Sequence, residues 1–189
     1  LAKSWEISPD GLTYTFKLQT GVKFHDGQAF DSVAAKFTLD RARGAQSVNP
    51  QKRFFATIAS IDTPDAETLV LHLSSPTGSL LYWLGWPSSV MVGPKSSADD
   101  KTTPVGTGPF KFSAWAKGDH VDLVKNPDYW NKSVDVKLEK VTFRFISDPQ
   151  AEAAALKAGD VDAFPEFAAP ELMNSFAGDA RLTTKIGNT

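Results

Sequence analysis

Two strictly alternating runs, far apart in the chain, constrain the fold more than any other feature. Thr13–Leu18 places Tyr14, Phe16 and Leu18 on one face and Thr15 and Lys17 on the other, and Thr68–Leu73 does the same with Leu69, Leu71 and Leu73. A period of two marks a half-buried strand, and two strands with one apolar face each bury those faces by lying side by side. The spacing therefore predicts a sheet in which Thr68–Leu73 pairs with Thr13–Leu18.

Turn chemistry and caps fill in the rest. Ser8-Pro9-Asp10-Gly11 suits a type I turn leading into the first strand. After a break at Gly21, Val22-Lys23-Phe24 runs into an Asp-Gly type of tight turn at His25-Asp26-Gly27. Asp31 is an N-cap for a helix over Ser32–Arg43, with Val33, Phe37 and Leu39 expected inward and Gly44 as its stop. Gln46–Gln51 reads as a polar loop, Lys52–Ser60 as a short helix carrying Phe54, Phe55 and Ile58, and Leu80–Trp86 as another short helix or bent segment. A boundary is expected near Ser88–Pro94, before a polar linker over Lys95–Thr103. Strands are then predicted at Phe110–Trp115 and Val121–Val124, hinged by Lys117-Gly118-Asp119, and at Lys137–Ile146 with Val141, Phe143 and Phe145 alternating. Asp148-Pro149 starts a helix that runs to Ala158 and ends at Gly159. A short buried strand at Val161–Ala163 flanked by Asp160 and Asp162, a helix over Pro170–Ala177 and a last strand at Arg181–Ile186 complete a mixed α+β chain.

Composition removes several function classes. Lys and Arg (20) do not exceed Asp and Glu (22), so counterion release cannot drive nucleic-acid binding, and none is expected. The chain has no cysteine, which excludes disulfides, thiolate metal sites and a thiol nucleophile. The longest apolar stretch, Leu80–Trp86, is interrupted by Gly85 and falls far short of the roughly 20 residues a membrane span needs. His25, His72 and His120 have no helical ligand spacing; His25-Asp26 reads as a solvated turn rather than half a metal site, and His72, opposite the leucine face, as a surface residue. Gly106-Thr107-Gly108-Pro109 lacks the Lys-Ser/Thr ending of a phosphate loop and reads as a turn entering a strand. There is no Gly-x-Ser-x-Gly elbow, and scattered acidic residues define no glycosidase pair. The sequence thus predicts no enzyme and no cofactor. What it does concentrate is aromatic surface: Tyr82, Trp83, Trp86 and Pro87 stand beside Ser88-Ser89. Flat faces next to small polar groups suit a concave ligand site; a hydrophobic plug between subdomains is the alternative.

Longer motifs point to a family. Leu1-Ala2-Lys3-Ser4-Trp5-Glu6, Asp10-Gly11-Leu12-Thr13-Tyr14-Thr15-Phe16-Lys17-Leu18 and Gly21-Val22-Lys23-Phe24-His25-Asp26-Gly27 are followed by Pro104-Val105-Gly106-Thr107-Gly108-Pro109-Phe110. Asn126-Pro127-Asp128-Tyr129-Trp130, Phe143-Arg144-Phe145-Ile146-x-Asp148-Pro149 and Ala155-Leu156-Lys157-Ala158-Gly159-Asp160-Val161-Asp162 continue the series. In this order, over nearly the whole chain, they resemble the family 5 extracellular solute-binding proteins, the oligopeptide-, dipeptide- and nickel-binding receptors of ABC importers.

The resemblance implies an α/β, periplasmic binding protein type II-like fold, present as part of lobe I with an accessory subdomain. Residues 1–89 would form that subdomain, and residues 90–189 part of lobe I up to the crossover into a lobe II outside the chain. Its start at Leu1 is read as a removed signal or an internal piece of a longer protein. The implied function is capture of a peptide or similar small solute and its delivery to the transmembrane subunits of an ABC permease, in the periplasm or lipid-anchored outside the cytoplasmic membrane. Three cleft-facing groups are implied: Arg53 and Phe54; Trp86, Ser88 and Ser89; and Glu166 and Phe167. Glu166 would pair with a peptide amino terminus or other cation, or else stay a solvated loop carboxylate. A metal-chelate or haem receptor, for which Arg53 leaves room, an opine or oligosaccharide receptor and a sensor role are the other readings. With half a cleft, the chain alone is expected to bind no solute tightly and to self-associate through exposed apolar surface.

Overall fold

The computed structural model describes residues 1–167 and 169–185. They form two compact units, one of Leu1–Trp115 with Asp122–Val141, the other of Ala116–Val121 with the residues from Thr142 onward. Among the described residues no helix is long and apolar enough to cross a membrane.

The first unit is organised by the predicted pair of strands. Strand β1 (Ala2–Ile7), β2 (Thr13–Leu18), β3 (Ile58–Asp65) and β4 (Thr68–Leu73) make one antiparallel sheet in the order β1-β2-β4-β3. Tyr14 lies opposite Leu71 and Phe16 opposite Leu69, so both apolar faces point the same way and Leu71 is wholly buried. A slip of one residue would turn both rows to solvent, which fixes the register. The turn before β2 forms as expected, with the Gly11 N–H donating to the Ser8 carbonyl at 2.8 Å.

Strand β3 corrects the sequence reading. The expected helix over Lys52–Ser60 ends early: helix α2 covers only Lys52–Phe55, and Ile58 opens β3. The buried residues of β3, Ile58 and Ile61, are three apart because the register shifts between Ile58 and Ser60. A bulge of this kind turns a period of two into a spacing that mimics a helix. Pro64, within the strand, is tolerated because β3 is the edge of the sheet.

Helix α1 (Ser32–Arg43) has the predicted bounds and cap, the Asp31 carboxylate accepting from the Ala34 N–H at 2.9 Å. Its inner face differs from expectation. Leu39 is buried, but Val33 is 60% exposed and Phe37 half-buried, while Ser32, Ala34, Ala35, Thr38 and Ala42 face inward. Small residues let the helix lie close against the sheet, and its two hydroxyls are matched. Ser32 Oγ donates to the Asp65 carbonyl at 2.6 Å, and Thr38 Oγ1 accepts from the Val92 N–H at 3.0 Å. Helix α3 (Leu80–Leu84) follows the sheet, and Pro87–Ser89 then makes one 3₁₀ turn. The chain packs closely at Gly93: a Cβ there would stand 2.8 Å from Ser96 Oγ and 2.9 Å from Gln28 Nε2, so those side chains would have to shift to admit one.

Strands β5 (Phe110–Ala116), β6 (His120–Lys125) and β7 (Lys140–Arg144) form a second sheet in that order. The β5–β6 turn is closed by the Asp119 N–H on the Ala116 carbonyl at 3.0 Å.

In the second unit, helix α4 (Pro149–Ala158) begins with Pro149 and with Asp148 accepting from the Ala151 N–H at 2.8 Å. It ends at Gly159, whose φ of 80° is a left-handed closure that few other residues adopt without strain. The strand expected at Val161–Ala163 is absent, so Asp160 and Asp162 lie in an irregular segment, in which Asp162 and Ala163 are exposed. Pro170–Phe176 is 3₁₀ rather than α. Residues 181–185 form no strand, and Ile186, the end of the last predicted strand, lies outside the described residues.

Candidate functional site

The polar loop after α1 returns the chain to place α2 against α3. Phe54 of α2 and Trp83 of α3 stack face to face, with ring centroids 3.6 Å apart and planes inclined by 17°. Trp83 is tilted against Trp86 at 5.0 Å, and Tyr82 meets both indoles edge-on at 5.1 and 5.8 Å. The Arg53 guanidinium lies over the outer face of this cluster, its Cζ 4.6 Å from the Phe54 centroid. A cation over an aromatic quadrupole is attracted to the ring, and the contact leaves the guanidinium N–H groups able to donate elsewhere. No carboxylate among the described residues pairs with Arg53. The wall is partly solvent-facing: Trp86 is 38% exposed and Tyr82 61%.

Residues Pro87–Ser89 behind Trp86 separate two cavities of the same unit. One, of 840 Å³, is mainly apolar and reaches from Trp86 and Met91 to Leu18, Leu71 and the Gly106–Gly108 loop. The other, of 760 Å³, lies between the end of α1, the loop Gly44–Pro50 and Ser88. Its lining includes one charged side chain, Arg41, and no acid. Ser88 Oγ is buried in that region with no hydrogen-bond partner among the described residues, and a buried hydroxyl favours any polar group that can pair with it.

Five of the seven expected site residues thus lie at or beside one turn. Arg53, Phe54 and Trp86 form the aromatic wall, and Ser88 lines the second cavity. Ser89 has a different place: it is buried, and its Oγ donates to the Trp83 carbonyl at 2.6 Å, so its hydroxyl holds the turn. Glu166 and Phe167 belong to the second unit. There Glu166 is exposed, and Phe167 packs between Phe164 and Phe176 at 6.3 and 5.6 Å.

His25 departs from the solvated turn expected of it. Its N–H and ring both engage the Gly106–Gly108 loop: the backbone N–H donates to the Gly106 carbonyl at 2.8 Å, Nδ1 accepts from the Gly106 N–H at 3.2 Å, and Nε2 lies 3.0 Å from the Gly108 carbonyl. Nδ1 as acceptor leaves Nε2 to carry the proton, so the ring is neutral in this arrangement. Burial lowers its pKa below 6.5, against the Gly108 hydrogen bond and Asp26, and with Lys111. Arg41 and the loop residue Asn49 had no signal in the sequence beyond ordinary surface polarity.

Comparison with known proteins decides the family. The model of the bacterial extracellular solute-binding proteins, family 5 (middle region), matches residues 1–185. The chain belongs to that family. A Brucella ovis protein provisionally named an ABC transporter peptide-binding protein is 40% identical over 173 residues, covering 85% of this chain and 32% of its own length. The glutathione-binding protein GsiB of Pectobacterium atrosepticum is 38% identical over 170 residues, 87% of this chain and 33% of its own. The crystal structure of NikZ from Campylobacter jejuni, in complex with Ni(L-His), superposes with a TM-score of 0.85 at 30% identity, covering 95% of this chain and 36% of that one. This family 5 chain therefore spans about a third of the length of its relatives, and the mixed α/β architecture is that of the family's binding proteins.

Proposed function

We propose that this segment supplies one wall of the solute cleft of an ABC importer's receptor, and that its solute carries a carboxylate next to an apolar or planar group. The observation that carries this is the Arg53 guanidinium over the Phe54 ring, which itself stacks on Trp83, with no protein carboxylate paired to that guanidinium among the described residues. The aromatic faces take the apolar part, and Arg53 takes the carboxylate through charge-assisted hydrogen bonds. Arg41 and the Ser88 hydroxyl, which has no partner among the described residues, offer further polar contacts on the far side of the turn. Peptides and glutathione, named for the relatives, are solutes of this chemistry, and so are opines and amino-acid chelates of a metal.

Such a protein binds and releases rather than catalyses. Contacts from a second lobe favour a closed state, and that state docks on the permease subunits. Residues 1–89 serve as the accessory subdomain of the first lobe and residues 90–189 as part of the lobe itself. Glu166 and Phe167, in the second unit, serve as a further solute-contacting group, Glu166 for the amino group of a peptide. The place of action is the periplasm, free or lipid-anchored. Apolar side chains left outward, such as Trp5, Ile7, Phe143 and Phe145, give the isolated chain surface for self-association.

The test is thermal denaturation of the receptor carrying this segment against di- to pentapeptides, glutathione, opines, oligosaccharides and nickel–histidine. A shift of several degrees with a carboxylate-bearing solute is expected. Arg53→Gln should then weaken that solute about tenfold, roughly 1.4 kcal/mol, and leave its carboxamide analogue unchanged. Silence toward the whole panel, or a shift with neutral oligosaccharides alone, overturns the reading.

A further inference from the structure

The aromatic wall is assembled from two pieces of chain that approach from different directions, α2 with Arg53 and Phe54, and the segment from α3 to Ser89 with Tyr82, Trp83 and Trp86. Face-to-face stacking at 3.6 Å is sensitive to small slips, so something must hold the two pieces in register. One side chain touches both. The Asn49 amide oxygen accepts from the Gln51 N–H at 2.8 Å, and the Asn49 carbonyl accepts from the Lys52 N–H at 3.0 Å, which together start α2. The Asn49 amide nitrogen donates to the Ser88 carbonyl at 2.8 Å, inside the turn that carries Trp86. Its own backbone N–H donates to Ser47 Oγ at 3.2 Å, so both chemical ends of the residue are committed.

We propose that Asn49 is the positioning residue of this wall, its amide bolting the start of α2 to the Pro87–Ser89 turn and so setting where Phe54 meets Trp83 and Trp86. The role needs an acceptor and a donor on one short, rigid group. Asparagine offers both. Aspartate keeps the acceptor for Gln51 but turns a carboxylate oxygen toward the Ser88 carbonyl, and serine keeps an acceptor but cannot span to Ser88. The assignment gains a role in recognition only through the solute-wall reading above, but its geometry does not depend on a solute.

The experiment reads the ring-current shifts and nuclear Overhauser contacts between the Phe54 ring and the Trp83 indole, recorded on the chain without solute, because these rings belong to the two pieces that Asn49 joins. Asn49→Asp is expected to weaken that contact at least about twofold, because it depends on ring distance and tilt; Asn49→Ser does the same if the aspartate chain does not fold. Ile61→Ala, buried in the core and lining neither cavity, should lower Tm and leave the contact intact. In the receptor, the Asn49 variants should weaken the solute found by the thermal screen, and Ile61→Ala should not. A wild-type contact in a folded Asn49→Asp or Asn49→Ser chain overturns the assignment, since a merely stabilising residue would move Tm alone. If no solute binds wild-type receptor and the contact still collapses, the function falls and the positioning role stands.

Discussion

His25 fastens a turn to a loop more than eighty positions away in the chain, and it does so as a neutral ring. Protonating Nδ1 would set an N–H against the Gly106 N–H, so the clasp and the charged ring exclude each other. The folded pKa lies below 6.5, with burial the largest cause. As pH falls through 6.5 the unfolded chain takes up a proton that the folded chain resists, so stability declines on the acid side and is flat above it. Tm should therefore fall between about pH 7 and pH 5, where histidine titrates. His25→Gln should start from a lower Tm at neutral pH and lose less on acidification, with the Gly106 amide resonance no longer titrating. An acid slope identical to wild type would exclude His25 as its source. The sequence showed His25-Asp26-Gly27 as a turn, which it is. It could not show that the loop at Gly106 would close over the ring, because that contact is set by the tertiary path of the chain.

Strands β2 and β4 carry the core of the first unit, and their cost of disruption is set by face. Leu71 is fully buried opposite Tyr14, whereas its neighbour Val70 is half-buried on the other face opposite Thr15. Leu71→Ala should cost about 3 kcal/mol in urea unfolding, from lost transfer free energy and a residual cavity. Val70→Ala should cost less than about 1 kcal/mol. Equal costs would mean that the sheet is not one-faced. These two strands and helices α1 and α4 were legible because caps and alternation agree with the final packing. Strand β3 was not, since its bulge spaces Ile58 and Ile61 as a helix would. The inner face of α1 differs from expectation for another reason: close approach selects Ser32, Ala34 and Thr38, and the two hydroxyls among them are buried against the backbone of Asp65 and Val92, distant in sequence. At the site, aromatic density marked Trp83 and Trp86, and the family resemblance marked Arg53 and Phe54. Asn49 stayed hidden, because a bridging amide looks like any other loop asparagine until its partner strand of chain is known.

The two compact units differ in how much apolar surface they bury. The contiguous core, from Tyr14 and Phe16 through Leu39, Phe55, Leu71 and Leu80, lies wholly in the first unit. In the second unit the buried apolar residues among those described are Ala153, Ala169 and Phe176, and Phe143 and Phe145 are 54% and 53% exposed. Helix α4 has good caps at both ends, but an isolated helix of this length is marginal in water, and its stability must come from packing. Local opening free energies track buried contacts, so hydrogen exchange should separate the units. Amides of β2 and β4 should exchange only through global unfolding, while those of Ala153–Ala158 should exchange at least about a hundredfold faster, corresponding to openings roughly 2.7 kcal/mol cheaper. Addition of a bound solute to the whole receptor should slow α4 if residues 164–167 belong to the cleft wall, because binding to the ordered form alone stabilises it by mass action. Protection of α4 equal to that of β4 in the isolated chain would show that the two units unfold as one cooperative body, and the assignment of α4 to a separately yielding unit would fail.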